Sequence, residues 1–275
     1  MPATADFSFV HFTDTHIMAG GTYGASRLDT AATLRQVVAV LNTIEPRPAF
    51  GIVGGDLCSP DLLDRSRTLT AEEYEPSYRL LRDILGELAF PTHLILGNHD
   101  HRLAFHRVMA TGAPSSESPH RWSFAYGGCR FVGLDSHVPG QPWGEVGADQ
   151  LAWLRAELTT YRGQPAFAFV HHHPWPVGVA WMDAMPLRNG EDLVSVLREF
   201  SDVRWIVCGH VHLDGEVQRD GLTMWTSPST CFQVSKLSQT RKIFPGPPGF
   251  RLFSVTGDTV RTGVLSVPPE GPGSA

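Results

Sequence analysis

The sequence lacks the closely spaced cysteines that mark zinc knuckles and thioredoxin-like redox motifs. Its four cysteines lie far apart and contain no Cys-x-x-Cys pair; they are Cys58, Cys129, Cys208 and Cys231. Isolated cysteines of this kind are usually small apolar residues in the core. We therefore predict four reduced, buried thiols.

Dense basic runs are also missing. The chain has 22 Lys and Arg against 28 Asp and Glu, which gives a net charge of -6. A protein that binds nucleic acid through its phosphates needs concentrated positive charge. Small-molecule substrates are predicted instead, with no nucleic-acid polymer as partner.

Membrane and export signals are absent as well. No basic, then apolar, then small-residue pattern follows Met1, and no apolar run is long enough to cross a bilayer. We expect a cytoplasmic protein without a membrane partner. No repeat or linker divides the 275 residues, so we predict a single catalytic domain over residues 1–267 and a disordered Pro/Gly/Ser-rich tail over 268–275.

What the sequence does contain is an alternation of short apolar strands with amphipathic helices. The first predicted strand, Phe7–Phe12, is followed by a helical stripe that begins beyond a candidate N-cap at Asp29. Another strand is predicted over Thr92–Leu96, and Gly127-Gly128 indicates a hairpin with antiparallel pairing. The pattern predicts a mixed α/β fold.

Polar clusters follow five of these predicted strands. In chain order they are Asp14-x-His16, Gly55-Asp56, Gly97-Asn98-His99-Asp100, His171-His172-His173 and Gly209-His210-x-His212. Each cluster alone is a weak signal, but ligands collect at strand ends in α/β sheets, so together they predict one site. Carboxylate and amide oxygens suit hard cations, and imidazoles suit Mn, Fe, Co or Zn.

This ordered set of motifs resembles the calcineurin-like metallophosphoesterase superfamily, over residues 14 to 212. The resemblance implies an α/β four-layer sandwich of two mixed β-sheets flanked by helices. It also implies two divalent metal ions, with manganese or iron favoured and zinc or cobalt as alternatives. By the same resemblance, one metal is expected on Asp14, His16, Asp56 and His212, and the second on Asp56, Asn98, His171 and His210.

The fourth motif contains three adjacent histidines, so it leaves open which of them binds the metal. His171, the first after its strand, is the preferred ligand, and His172 and His173 are expected in the pocket wall with even odds of contacting substrate. Asn98 and His99 are expected to face the phosphate, and His99 to donate a hydrogen bond to it or a proton to the leaving alkoxide. Asp100 is expected to orient the His99 ring or to cap the next helix.

Two sister groups fit less well. Purple acid phosphatases would place a tyrosine ligand at Ser59, and protein Ser/Thr phosphatases would have a glutamate at Asp100. The closer resemblance is to bacterial class III phosphodiesterases that hydrolyse 3',5'-cyclic AMP. The stretches that carry it are Leu134-Asp135-Ser136, residues 171–178, Trp181-Met182-Asp183, Leu187-Arg188-Asn189 and residues 227–231.

This closer resemblance implies hydrolysis of cyclic nucleotides, 3',5'-cyclic AMP to AMP, through in-line attack by a hydroxide that the two metals share. Trp175, Trp181, Met182 and Arg188 are expected to line a pocket for base and ribose, with plain hydrophobic loop packing an equal alternative. Glycerophosphodiesterases and 2',3'-cyclic nucleotide phosphodiesterases share every metal motif and stay open as alternatives. A non-catalytic protein-binding scaffold is a remote alternative because no ligand position is missing, and related enzymes favour a homodimer.

Overall fold

The computed structural model describes residues 6–24, 27–109, 117–236 and 243–268. The strands are β1 (Phe7–Phe12), β2 (Gly51–Val53), β3 (Thr92–Leu94), β4 (Trp122–Tyr126), β5 (Cys129–Leu134), β6 (Ala166–Val170), β7 (Val203–Cys208), β8 (Gly215–Arg219), β9 (Leu222–Thr226), β10 (Gln233–Val234), β11 (Ile243–Phe244), β12 (Gly249–Thr256) and β13 (Thr259–Ser266). The α-helices are α1 (Thr30–Leu41), α2 (Ala71–Leu85), α3 (Arg102–Val108), α4 (Ala148–Thr160), α5 (Ala180–Asp183) and α6 (Gly190–Arg198). Of the predicted tail, residues 269–275 lie outside the described residues.

Two large sheets carry most of these strands. The first has the order β13-β12-β1-β2-β3, with β1, β2 and β3 parallel and β12 antiparallel to β1. The second has the order β4-β5-β6-β7-β9-β8, with parallel inner strands and antiparallel edges at β4 and β8. Both sheets are mixed, and the predicted antiparallel hairpin is the β4–β5 pair.

Side-chain alternation along β1 explains how the layers stack. Phe9 points between the sheets, where its ring stacks on Phe253 at a centroid distance of 4.6 Å and meets Phe167 edge-on at 5.3 Å. Its neighbour Val10 points to the other face and packs in the cluster that contains helices α1 and α2. Helices α4 and α6 cover the outer face of the second sheet in the same way. The predicted four-layer sandwich is therefore confirmed.

Helix α1 begins at its predicted position. The Asp29 side chain accepts a hydrogen bond from the Ala32 backbone N–H at 3.0 Å, so it caps α1 as expected. Helix α2 begins after Thr70 and contains Pro76 within it. Within the part of the chain that the structure describes, no helix is both long and apolar enough to span a membrane.

Candidate metal centre

The loops that follow β1, β2, β6 and β7 bring two carboxylates against three imidazoles. Asp14 Oδ1 lies 3.2 Å from His212 Nε2 and 3.9 Å from His171 Nε2. The Asp56 carboxylate lies 3.7 Å from His16 Nε2 and 3.4 Å from His171 Nε2. All five side chains are buried. Residues up to 198 positions apart in the sequence therefore form one compact polar cluster.

Five of the predicted ligands have a left-handed backbone conformation. Their φ angles are 56° at Asp14, 44° at His16, 48° at Asp56, 68° at His210 and 51° at His212. For a residue with a Cβ, such a conformation costs on the order of 1–3 kcal/mol and persists only where the surrounding fold imposes it. Backbone strain is thus concentrated in the three ligand-bearing loops after β1, β2 and β7.

Two glycines allow these loops to approach one another. A Cβ on Gly97 would lie 2.3 Å from Asp56 Oδ1 and 2.4 Å from the Asp56 backbone nitrogen. A Cβ on Gly209 would lie 2.2 Å from Thr13 Oγ1. A side chain at either position would collide with the neighbouring loop. The Gly-Asn-His-Asp and Gly-His-x-His motifs therefore both require glycine at their first position.

Hydrogen bonds to backbone carbonyls fix the orientation of two imidazoles. His171 Nδ1 lies 2.7 Å from the Gly54 carbonyl oxygen, and His212 Nδ1 lies 2.7 Å from the Phe232 carbonyl oxygen. A carbonyl can only accept, so Nδ1 donates in both rings. In the neutral tautomer, Nε2 then carries the lone pair that a metal ligand needs and faces the carboxylates.

The carboxylates are held in their ionised form. Burial raises the pKa of Asp14, but the imidazoles of His212 and His171 outweigh it and leave that pKa below its usual value. Burial likewise raises the pKa of Asp56, and His171 and His99 bring it well below the usual value. Burial lowers the pKa of His171, yet the Asp56 charge outweighs it and raises the pKa to about 9. The two carboxylates therefore attract positive charge into the centre of the cluster.

The rings of His16 and His210 stay neutral. Burial lowers the pKa of His16 to about 3 and brings that of His210 well below its usual value, with a further contribution from His172 in the latter case. Neutral imidazole is the form that coordinates metals.

Several buried polar atoms at the cluster have no hydrogen-bond partner. Among the described residues, no hydrogen bond reaches Asn98 Oδ1, His171 Nε2 or His210 Nε2. Buried polar atoms rarely remain unpaired, and a bound cation would give these atoms a partner once the ring nitrogens are deprotonated. Candidate ligand atoms of Asp14, His16, Asp56 and His212 lie within 4.8 Å of one another, and so do those of His171, His172 and His210. The donor set fits a pair of divalent cations.

The set of His171, His172 and His210 contains both of the adjacent histidines that could be the metal ligand. His172 Nδ1 lies 2.8 Å from Ser136 Oγ, and one of its ring nitrogens belongs to the same group as those of His171 and His210. His173 is also buried, and its Nε2 lies 3.6 Å from Asp183 Oδ1. The assignment of His171 as ligand, and of the next two histidines to the pocket wall, stays a prediction.

Cys231 lies beside the cluster, which its sequence spacing did not indicate. Its sulfur lies within 4.8 Å of a ring nitrogen of His16 and of His212. The thiol donates a hydrogen bond to the Asp14 carbonyl oxygen at 3.2 Å. Burial raises the pKa of this thiol, so it stays protonated and is a poor metal ligand. All four cysteines are free and buried, as predicted.

The expected role of Asp100 is wrong. Its carboxylate accepts hydrogen bonds from three backbone N–H groups and from the Tyr78 hydroxyl, so it stabilises the turn after β2. It neither contacts the His99 ring nor caps α3, whose N-cap residue is His101. Instead, the Asp61 carboxylate lies 2.9 Å from His99 Nδ1.

Asp61 is a site residue that the motif analysis missed. It lies in the short 3₁₀ turn Pro60–Leu62, outside the five strand-end clusters of the sequence. Burial lowers the pKa of His99, but the Asp56 charge and the hydrogen bond to Asp61 outweigh it and raise the pKa above its usual value. The His99 ring is therefore stabilised in its protonated form.

One cavity opens at the cluster, and a second meets it at Asn98 and His99. The first, about 450 Å³, contains His16, Asp56 and His210 and has an apolar wall that includes Trp181 and Met182. We call it the apolar cavity. The second, about 410 Å³, is lined by polar and apolar side chains, including Arg65, Thr68 and Leu103, and we call it the second cavity.

Two residues expected in the pocket lie elsewhere. Arg188 lines neither cavity, because its guanidinium stacks 3.5 Å above the Trp143 ring. Trp175 is 1% exposed and packs in the core beneath the second sheet. Trp175 therefore follows the alternative of hydrophobic packing and Arg188 lies outside the expected pocket, whereas Trp181 and Met182 line the apolar cavity.

Known proteins resemble this chain in sequence and in fold. The 3',5'-cyclic adenosine monophosphate phosphodiesterase CpdA of Pseudomonas aeruginosa is 31% identical over 97% of this chain and 92% of its own length. The glycerophosphodiester phosphodiesterase GpdQ of Enterobacter lignolyticus is 31% identical over 82% of this chain and 77% of its own length. A solved dimetal phosphatase from Danio rerio superposes with a TM-score of 0.67 at 16% identity, over 95% of this chain and 99% of that one.

The sequence model described as calcineurin-like phosphoesterase matches residues 7–214. This span contains β1 to β7 and all seven predicted metal ligands. The chain belongs to the calcineurin-like phosphoesterase family.

Proposed function

We propose that this protein is a metal-dependent phosphodiesterase that hydrolyses 3',5'-cyclic AMP to AMP. The observation that carries the proposal is the buried cluster of carboxylates and neutral imidazoles, with unpartnered lone pairs and strained backbone at the strand ends. Similarity to the CpdA phosphodiesterase over nearly the whole chain supports the choice of substrate.

Two divalent cations fit the donor set. One would be held by Asp14, His16, Asp56 and His212, whose candidate ligand atoms lie within 4.8 Å of one another. The other would be held by Asp56, Asn98, His171 and His210, of which Asn98 Oδ1, His171 Nε2 and His210 Nε2 have no hydrogen-bond partner among the described residues. When bound, they would supply positive charge to the phosphoryl oxygens and acidify a water that serves as nucleophile. Manganese or iron is favoured, with zinc and cobalt as alternatives, because mixed oxygen and nitrogen ligands suit all four metals.

The chain itself supplies a proton donor next to this cluster. His99 lines both cavities, and its ring is held by Asp61. In the protonated form it can give a proton to the leaving ribose oxygen as the P–O bond breaks. Asn98, the residue before it, would place its amide beside the phosphate.

The alternative is hydrolysis of glycerophosphodiesters, since a relative with that name is 31% identical over 82% of this chain. The wall of the apolar cavity favours the cyclic nucleotide. It contains Tyr23, Trp181 and Phe232, which can contact a flat nucleobase, whereas glycerol and ethanolamine offer no aromatic ring.

The test is a comparison of kcat/KM for 3',5'-cyclic AMP, 2',3'-cyclic AMP and glycerophosphoethanolamine on manganese-loaded protein. Preference for 3',5'-cyclic AMP supports the proposal, and preference for another diester changes the substrate. Asp56→Ala should reduce kcat at least about 100-fold, because loss of a ligand exceeds the 10- to 100-fold cost typical of losing a residue that only hydrogen-bonds to a ligand. It should also lose bound metal by elemental analysis, while Asp192→Ala, on the exposed face of α6, should retain both metal and activity.

A further inference from the structure

The turn between β9 and β10, residues 227–232, contains no predicted metal ligand. It also lies beyond residues 7–214, the span that the family model matches. All six of its residues are nevertheless buried. We call this segment the β9–β10 turn, and its contacts show that it packs directly against the metal cluster.

The backbone of Asp14 is held by this turn. The Asp14 carbonyl oxygen accepts hydrogen bonds from Ser229 Oγ at 2.9 Å and from Cys231 Sγ at 3.2 Å. The preceding carbonyl oxygen, that of Thr13, accepts a hydrogen bond from the Thr230 backbone N–H at 3.1 Å. Asp14 has a left-handed φ of 56°, which persists only where the surrounding fold imposes it. The two side-chain donors on one carbonyl oxygen therefore hold Asp14 in this conformation.

The same turn orients two imidazoles. His212 Nδ1 donates a hydrogen bond to the Phe232 carbonyl oxygen at 2.7 Å. The Phe232 ring stacks on the imidazole of His212, with 4.7 Å between the ring centroids, and on that of His16, with 5.0 Å. Together with Asp14, these histidines belong to the ligand set predicted for one metal. The β9–β10 turn therefore contacts most of that set.

The histidines predicted for the other metal are supported from elsewhere. His171 Nδ1 donates a hydrogen bond to the Gly54 carbonyl oxygen at 2.7 Å. The His210 ring lies 5.2 Å from the ring of His171 and 4.6 Å from that of His172, between centroids. In the described ranges, no hydrogen bond or ring contact joins the β9–β10 turn to His171 or His210. The two metal positions thus have separate supports.

We propose that the β9–β10 turn preorganises one of the two metal positions, and that Ser229 and Cys231 are positioning residues that act through the Asp14 carbonyl. This inference rests on the metal pair of the proposed function. Ser229 Oγ accepts a hydrogen bond from the Cys231 backbone N–H at 2.9 Å, which directs its single hydroxyl proton toward Asp14. Loss of either side-chain donor should weaken the metal on Asp14, His16 and His212 and leave the other metal in place.

The test is a manganese titration of the full chain after chelator treatment, followed by electron paramagnetic resonance, which distinguishes free from bound manganese. Wild type should bind two ions per chain. Ser229→Ala and Cys231→Ala should each weaken one of the two ions about tenfold or more, the lower end of the range for losing a residue that hydrogen-bonds to a ligand. The affinity for the other ion should stay near that of wild type. Both variants act on the same carbonyl, so either is sufficient where the other fails to fold.

Two further variants separate positioning from a general loss of stability. Cys231→Ser keeps a hydrogen-bond donor and should restore the affinity to within about threefold of wild type. Cys129→Ala removes a buried thiol from the cluster of side chains between the sheets and should leave both affinities unchanged. Cobalt gives an independent readout, because a protonated Cys231 that only positions Asp14 produces no thiolate-to-cobalt charge-transfer band.

Several results would overturn the inference and leave the proposed function intact. They are unchanged affinities in both alanine variants, equal weakening of the two ions, the same loss in Cys129→Ala, and a thiolate-to-cobalt band in wild type, which would make Cys231 a ligand. Wild type that binds two manganese ions but does not hydrolyse 3',5'-cyclic AMP would overturn the proposed function and not this inference. Wild type that binds no manganese would overturn both.

Discussion

Asp61 shows how one side chain can control the chemistry of another. Its carboxylate lies 2.9 Å from His99 Nδ1, and the pKa of His99 is raised above its usual value. Asp61→Asn keeps a hydrogen-bond acceptor but removes the charge that stabilises the protonated ring. We expect kcat for cyclic AMP to fall roughly tenfold or more, with KM and metal content near wild type.

Asp64→Asn is the control for this prediction. Asp64 lies on the same loop but is exposed and accepts hydrogen bonds from Ser66. Steady-state kinetics that give the same kcat for both variants would show that Asp61 does not act through His99.

The loop after β3 can keep its position against the neighbouring loops only with a glycine at position 97. A Cβ at Gly97 would lie 2.3 Å from Asp56 Oδ1 and 2.7 Å from His171 Nε2, so the loops cannot keep their positions. Gly97→Ala should therefore reduce metal occupancy as well as kcat, the latter by about 100-fold or more, as for loss of a ligand. Elemental analysis of the purified variant measures the first effect directly.

Gly263→Ala is a matched change on β13. A Cβ there meets nothing within 4 Å, and its φ is not in the left-handed region. We expect full metal content and unchanged activity. If the two alanine variants bind metal equally well, close approach at Gly97 is not what assembles the site.

Aromatic rings packed between the two sheets hold the sheets together, and with them the ligand-bearing loops that each sheet carries. Phe9 is fully buried and contacts Phe253, Phe50 and Phe167 within 5.3 Å between ring centroids. Phe9→Ala should lower the free energy of unfolding by about 3–5 kcal/mol, because it removes a large side chain and leaves a cavity. Urea denaturation followed by circular dichroism measures the loss.

The same truncation at Phe244, which is 38% exposed on β11, should change the free energy of unfolding by less than about 0.5 kcal/mol. A small effect at Phe9 would mean that the inter-sheet layer contributes little to stability.

Metal binding should stabilise the whole fold as well as the site. The cluster places two ionised carboxylates and several unpartnered lone pairs in buried positions, and a cation that binds only the folded state adds stability by mass action. Manganese at about 100 times its Kd adds about 2.7 kcal/mol, which corresponds to a rise in Tm of roughly 5–10 °C for a domain of this size.

Calorimetry with manganese, and after its removal by a chelator, measures this rise. Asp56→Ala should show little or none of it. An unchanged Tm in wild type, with metal demonstrably bound, would contradict the prediction.

The fold class and the ordered polar motifs could be predicted from local patterns alone, because both depend on local rules. Alternating apolar residues define the strands, Asp29 defines the start of α1, and the five strand-end clusters are visible without any contact information. The family and its four-layer fold follow from those motifs. The metal assignments of individual residues, the metal identity, the cytoplasmic location and the homodimer stay predictions.

The neighbours of each polar side chain depend on three-dimensional packing. Asp100 faces the backbone after β2 and Asp61 faces His99, although Asp100 is adjacent to His99 in sequence and Asp61 is 38 residues away. Arg188 stacks on Trp143 outside the cavities, and two cavities rather than one meet at His99. Side-chain direction depends on loop conformation and long-range packing, which local sequence patterns do not encode.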